Sequence, residues 1–153
     1  MQIQRINTDT LFLVEDLFDK YRVFYEQPSD ISLAKQFLHQ RLSNNESVIF
    51  VALDNDNETM IPAGFTQLYP LYSSVRAQKN WILNDLYVEA NYRKQGVGKQ
   101  LISAAMQFAK EQGAQFVQLE TMQDNVTAQS LYEAIGFEKC NPTEGEFVYR
   151  ITV

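Results

Sequence analysis

The sequence predicts one α+β domain, and three observations predict it. Strand-like and helix-like periodicities follow one another in the order β-α-α-β-β-β-α-β-α-β-β along 153 residues. No repeat, linker or low-complexity stretch interrupts that order. Hydrophobic residues supply 45% of the chain against 21% charged, enough apolar surface for a core and unlike the composition of a disordered chain.

Each element has its own signal. Residues 2–6 alternate as a short strand. From Thr8 or Asp9 a helical pattern runs through Leu11, Val14, Leu17, Phe18, Tyr21, Phe24 and Tyr25. Pro28 interrupts it, and Ser29 or Asp30 can cap a second helix whose apolar stripe is Leu33, Phe37, Leu38 and Leu42. Residues 48–53 form a continuous β-branched and aromatic run, hence a buried strand. Residues 54–58, all acidic or amide, are a turn. The chain resumes as a strand over residues 61–72, with Gly64 a bulge and Pro70 near the end.

Residues 79–88 form the next strand, reading Trp81, Leu83, Leu86 and Val88. Val97, Leu101, Ile102, Ala105, Phe108 and Ala109 then mark a helix that stops at Gly113. Residues 114–120 are a strand, and residues 126–135 a short helix stopped by Gly136. Residues 137–139 and 146–152 supply the last two strands.

Charge narrows the function classes. The net charge is −6 and the pI about 4.8, which disfavours nucleic-acid binding, since such proteins carry a basic face. An acidic chain with one basic loop suits a polyanionic cofactor held locally and a cationic substrate steered elsewhere, although acidity serves solubility equally well. No apolar run approaches the roughly 18–20 residues of a membrane span. The N-terminal segment has no apolar core of a signal peptide, and Cys140 is the one cysteine, so a reducing cytoplasm is expected.

The basic loop is the most informative segment. Residues 92–102 place Gly96 and Gly98, with Arg93, Lys94 and Lys99, between a strand-like run and an amphipathic helix. A helix start built on glycine presents unpaired N–H groups and the positive end of a dipole, a seat for a pyrophosphate. A P-loop would need a hydroxyl residue where Gln100 stands and a glycine at Arg93, and both are absent. A dinucleotide fingerprint would need a third glycine where Leu101 stands; Glu120, about 20 residues downstream, keeps that rival alive, but three antiparallel-looking strands precede the loop. A tight strand-to-helix turn alone would explain the glycines and leave the cations unexplained.

Arg93-x-x-Gly96-x-Gly98 resembles the [RQ]-x-x-G-x-[GA] signature of the GNAT family of N-acetyltransferases. The match continues at the family's spacing through Leu119-Glu120-Thr121, Asn125, Ala128, Leu131-Tyr132 and Gly136-Phe137, and Asn84-Asp85-Leu86-Tyr87-Val88 looks like the family's cofactor-contacting strand. The similarity is strong over residues 81–139 and weak before them. It implies a three-layer arrangement: a mixed, mostly antiparallel central sheet of about seven strands flanked by four helices, in a single domain over residues 1–153. It also implies acetyl-CoA as donor. The pyrophosphate would rest on Arg93, Lys94, Gln95, Gly96, Val97, Gly98 and Lys99, and the pantetheine amides on the backbone of Leu86, Tyr87 and Val88. Asn125 and Ala128 would complete the cofactor contacts, although Asn125 is also placed to cap its helix.

In such a reaction a neutral amine attacks the thioester and a thiolate leaves. A thiol has a reference pKa near 8.5 and a tyrosine near 10, so a tyrosine can protonate the departing sulfur. Tyr132 matches the family's general acid, but it also belongs to an apolar helix face with Ala128, Leu131 and Ile135. The amine must first lose a proton, and Glu120 and Asp85 are the candidate bases. Strand alternation puts Asp85 and Tyr87 on one face, opposite Leu86 and Val88. Tyr21, Phe24 and Tyr25 could line the acceptor pocket, with Glu26 and Asp30 attracting a cation; as a packed core face they would read the same. Tyr69, Tyr72 and Trp81 are open between the same two roles.

Other features carry less. The acidic run at residues 54–58 lacks the glycine of a calcium loop. His39 is the one histidine, in a helix with Gln40 and Arg41, so neither a histidine-based triad nor a multi-histidine metal site is expected. Cys140 has no base beside it in sequence. The expected activity is acetyl transfer to a primary amine of a small, polyamine-like or amino-acid-like molecule. A protein lysine or N-terminus is the alternative acceptor, and an acyl-CoA sensor without turnover the non-enzymatic alternative. Late strands in this family often pair across a dimer, so a homodimer is admitted.

Overall fold

Residues 1–56, 59–122 and 124–139 are described by the structure, a computed structural model. The chain divides into two compact units, Met1–Glu120 and Thr121–Val153.

The first unit is built on one sheet in the order β1-β2-β3-β4-β5, comprising β1 (Gln2–Arg5), β2 (Val48–Asp56), β3 (Thr59–Ser73), β4 (Gln78–Val88) and β5 (Val117–Gln118). The first four strands are antiparallel neighbours, and β5 joins β4 in parallel. A parallel pair needs a crossover, which α3 (Val97–Glu111) supplies. The register between β2 and β3 breaks at Ala52/Leu53, with Ala52 opposite Gly64 and Leu53 opposite Pro62. The irregularity expected at Gly64 therefore falls one residue away, on Ala63. A second break lies between β3 and β4, where Gln67 opposes Asp85 and Leu68 opposes Leu83, leaving Asn84 as the extra residue.

Two helices, α1 (Glu15–Phe24) and α2 (Ile31–Ser43), cover one face of the sheet. Ile49, Val51 and Leu53 of β2 and Phe65 of β3 pack there against Val14, Leu17, Phe18, Ala34 and Leu38. The alternate residue Phe50 turns to the other face, where its ring meets Phe108 of α3, as does Trp81. The sheet is thus sandwiched between helices, as expected. Fully buried side chains such as Leu38, Ile49 and Phe65 each contribute about 1.5–3 kcal/mol.

Helix ends follow local chemistry. Asp30 caps α2, its Oδ1 accepting the Leu33 N–H at 3.0 Å. The chain before it is tied back: buried Asp19 accepts from the Ser29 hydroxyl at 2.6 Å and the Asp30 N–H at 2.8 Å. The first helix starts later than expected. Residues Leu11–Leu13 form a 3-10 turn, and α1 begins only at Glu15. Its buried stripe is Val14, Leu17 and Phe18, with Tyr21 half-buried; Phe24 and Tyr25 are 58% and 48% exposed, so they are not core. On α2 the stripe starts at Ala34, and Leu33 is exposed.

The second unit contributes α4 (Val126–Ile135), capped by Asn125 and ended by Gly136 in the left-handed region at φ 113°. Gly113 ends α3 in the same way at φ 79°. Among the described residues there are five strands where about seven were expected. Residues 137–139 are irregular, and the strand expected over residues 146–152 lies outside the described residues, as does Cys140.

Candidate active site

The loop from β4 to α3 is a backbone cradle. Lys94 and Gly96 both take left-handed backbone, at φ 61° and 80°. Gly96 is the N-cap of α3, no side chain caps that end, and Gln100 donates to the Gly96 carbonyl at 3.1 Å. The first intrahelical bond therefore starts at Gln100, and the amides of Val97, Gly98 and Lys99 lack intrahelical acceptors. A Cβ on Gly96 would meet nothing within 4 Å, so its glycine is required by conformation rather than by crowding. Successive amides around left-handed residues at a helix start form a concavity suited to a pyrophosphate.

The cations divide in this structure. Arg93 folds back on the strand: its Nε donates to the Val88 carbonyl at 2.9 Å, and its guanidinium lies 5.8 Å from the Tyr87 ring centre. Arg93 thus braces the loop against β4, while Lys94 and Lys99 are exposed. Gln95 likewise braces the loop, donating to the Asn91 carbonyl at 2.8 Å.

The edge of β4 leading into this cradle is open. β5 pairs with β4 only at Trp81 and Ile82, and no described strand pairs with Leu86, Tyr87 or Val88 on that side. Glu89 donates to the Ala63 carbonyl, toward β3. By alternation the backbone groups of Leu86 and Val88 turn to the open edge, and those of Tyr87 turn to β3. Of the three expected backbone contacts, Leu86 and Val88 are so directed, the Val88 carbonyl already accepting from Arg93 Nε; Tyr87 is not. An extended chain carrying amides would find ladder-like partners there. The residues thus fit acetyl-CoA, with the open edge for the pantetheine arm and the amides of α3 for the pyrophosphate.

On the same strand, on the face that Tyr87 shares, lies Asp85, 3% exposed. It accepts from Asn84 Nδ2 at 2.8 Å, from Gln67 Nε2 and from the Tyr21 hydroxyl. Burial pushes its carboxyl above the usual carboxylate range, and those three bonds offset part of the shift. Burial and then the charge of Asp85 push the Tyr21 and Tyr69 phenols up, so both stay protonated donors at neutral pH. Tyr21 also stands edge-on to Phe65 and Tyr25, and Phe24 continues the series, with ring centres 5.0–5.8 Å apart. The α1 face therefore carries aromatic rings running from solvent to a buried carboxylate. Sequence reasoning missed Gln67, which is fully buried; the signal was a lone amide in the middle of an apolar strand, in phase with Asp85.

The other predicted residues fall as follows. Glu120 follows β5 and is exposed, with no buried partner set like that of Asp85. Trp81 is core, 4% exposed, and Tyr72 is exposed. In the second unit Asn125 acts as an N-cap, its Oδ1 accepting from Ala128 N–H at 3.2 Å. Tyr132 is half-buried on the face it shares with Ala128, Leu131 and Ile135, and its ring stands 6.1 Å from Phe137. Among the described residues no group of three His, Cys, Asp or Glu side chains could hold a metal, and no helix is long and apolar enough to cross a membrane.

Comparison with known proteins agrees with this geometry. The model of the acetyltransferase (GNAT) family matches residues 12–137. An uncharacterised N-acetyltransferase, YhfO, of Bacillus subtilis (strain 168) is 43% identical over 139 residues, covering 91% of each chain. A crystal structure of a probable acetyltransferase superposes with a TM-score of 0.88 at 37% identity, covering 100% of this chain and 99% of that one. A thialysine N-epsilon-acetyltransferase of Bos taurus is 31% identical over 87 residues, 57% of this chain and 51% of its own. The chain belongs to the GNAT family of acetyltransferases, enzymes that use acetyl-CoA as donor.

Proposed function

We propose that residues 1–153 act as one catalytic domain that transfers an acetyl group from acetyl-CoA to the primary amine of a small cationic or amino-acid-like molecule, in the cytoplasm. The observation that carries this reading is the buried Asp85, one residue from the open β4 edge and bonded by Tyr21, the inner member of the α1 aromatic series. A buried anion under aromatic faces suits an alkylammonium, which rings and carboxylate both attract. The bovine relative, named for the ε-nitrogen of thialysine, supports an acceptor of this kind.

Acetyl-CoA would supply the activated acetyl thioester. Asp85 takes a proton from the bound ammonium, its raised pKa making it a stronger base than an exposed aspartate. The freed nitrogen would bond to the acetyl carbonyl carbon as the carbon–sulfur bond breaks; Tyr132 would give its hydroxyl proton to the leaving sulfur and regain one from the new amide nitrogen, which sheds its second hydrogen, while Asp85 would release its proton to solvent. Asp85 is preferred to Glu120 as base because its surroundings are dry and built around the carboxylate. Lys94, Lys99 and the amides of Val97, Gly98 and Lys99 hold the pyrophosphate, and Arg93 keeps their loop in place.

The test is a panel of amines with acetyl-CoA, reading free thiol: basic amino acids, diamines, aminoglycosides and a peptide with a free N-terminus. Turnover of a basic amino acid or diamine is the expected result. Turnover of the peptide alone would move the acceptor to proteins, and acetyl-CoA binding without any turnover would make the chain a sensor.

A further inference from the structure

The Gln67–Asp85 pair holds an atom the reaction above does not use. Gln67 lies at the centre of β3 and is fully buried. Its Nε2 donates to Asp85, but its Oε1 is buried and has no hydrogen-bond partner in the structure. A buried acceptor left unpaired costs about 1–3 kcal/mol, so this oxygen calls for a donor, either a water or a bound N–H group. The groups facing this pair are the Tyr21 phenol from α1, the Tyr69 phenol from β3 and the Asn84 amide from β4, with Arg41 of α2 acting on Tyr69. The Asp85 carboxylate is the one acid among those groups.

We propose that Gln67 Oε1 and the Asp85 carboxylate together seat the ammonium of the acceptor, with Gln67 contacting the substrate directly. An alkylammonium carries three N–H donors, and the seat offers acceptors for each: Asp85, Gln67 Oε1, and the oxygen of the Tyr21 hydroxyl once it turns from Asp85. Tyr21 is the roof, because its half-buried phenol comes from α1, the element packed over this strand, and bonds to Asp85. A neutral aromatic amine lacks the charge to displace it. The seat therefore selects primary alkylammonium groups. This inference rests on the amine-acetyltransferase reading and adds the atom that reads the amine.

Two variants separate the functions of the Gln67 side chain. Gln67→Met removes both donor and acceptor at nearly equal volume. Gln67→Glu keeps an oxygen at Oε1 and loses the donor to Asp85. Initial rates with acetyl-CoA and two probes, L-lysine and 1,5-diaminopentane, are measured from pH 6 to 9, alongside isothermal titration of each probe and of CoA. Gln67→Met is expected to raise the KM and Kd of the reactive probe at least tenfold while CoA affinity stays within twofold. Gln67→Glu is expected to keep the amine KM within threefold at its optimum pH, with the acid limb of the rate profile displaced upward because two buried carboxylates compete for one proton. Amine KM unchanged in Gln67→Met overturns the seat and leaves acetyl transfer standing, as does an equal KM rise in both variants. A wild-type protein that binds CoA but neither binds nor acetylates any amine overturns both readings together. CoA titration reports folding, so a variant that loses CoA binding as well refers the question to Gln67→Asn, which retains both groups one methylene short and should raise the amine KM alone.

Discussion

Replacement of Gly64 by alanine should damage the donor site from a distance of one strand. A Cβ built on Gly64 would lie 2.7 Å from the Tyr87 carbonyl oxygen and 3.2 Å from Val88 Cα. Both neighbours are backbone, so neither can rotate away, and contact at a normal separation needs a displacement of about 0.7 Å. Overpacking of this kind costs about 3 kcal/mol at the upper end of its range. For a chain of this size that lowers Tm by roughly 6–12 °C. The atoms pushed belong to the stretch of β4 whose outer edge is open. Losing one hydrogen bond there, about 1 kcal/mol, would raise the acetyl-CoA KM roughly fivefold. The amine KM, set by the Asp85 side chain rather than by that backbone edge, should change less. Differential scanning fluorimetry and two-substrate kinetics measure all three quantities. A Gly64→Ala protein with Tm within 1–2 °C of wild type and an unchanged acetyl-CoA KM (roughly the error of such measurements) would refute the reasoning.

Other perturbations address single groups. Asp85→Asn should lower kcat/KM about 10²-fold or more and abolish the acid limb of its pH profile; a limb that survives the substitution would remove Asp85 as base. Because the Asp85 pKa is raised on folding, its contribution to stability is present at low pH and lost as pH rises through the folded value. Asp19 has the opposite sign. The hydrogen bond from Ser29 and the Asp30 N–H hold its carboxyl below 3.8, against the cost of its burial, so its stabilisation is present above that pH and lost as pH falls through the lower, folded value. Asp19→Ala should therefore cost about 2 kcal/mol in urea unfolding at pH 7, and the gap from wild type should close on acidification; a pH-independent gap counts against the assignment. Tyr132→Phe should reduce kcat by about 10²-fold with acetyl-CoA affinity nearly unchanged, and full activity across several pH values would exclude the acid role.

Much of the fold was legible because local chemistry and tertiary demand agree. Asp30 caps because a carboxylate at that place meets a free N–H, and Gly113 and Gly136 stop helices because the turn needs positive φ. The loop was legible for the same reason: glycines at a helix start have a local meaning. Phe24 and Tyr25 were open between core and pocket, since spacings of three and four predict a face but not where the helix ends; α1 stops at Phe24, and exposure of both residues excludes the core role. On α2 Leu33 was expected in the apolar stripe, but the buried face starts one residue later, at Ala34. Asp85 could be placed on a face and named a candidate base but not chosen over Glu120, because its environment comes from Gln67 and Tyr21, residues 18 and 64 positions away in sequence. Burial of that kind is a property of the assembled sheet, and no local pattern contains it.

The brevity of the β4–β5 ladder has a consequence for the protein as a material. Asn80, nearly fully buried, clasps the chain entering β5 by accepting from the Gln115 and Phe116 amides at 2.7 and 3.2 Å. Pairing then ends at Ile82, and β4 runs on with an unmated ladder among the described residues. An unmated strand is a template for any extended chain, including that of a neighbouring molecule. The donor substrate, lying along this edge, would act as a removable strand that shields the template, and it would stabilise the native form by mass action. Preparations freed of CoA should then be the ones that cloud on concentration, and added CoA should return them to clear, monodisperse solution.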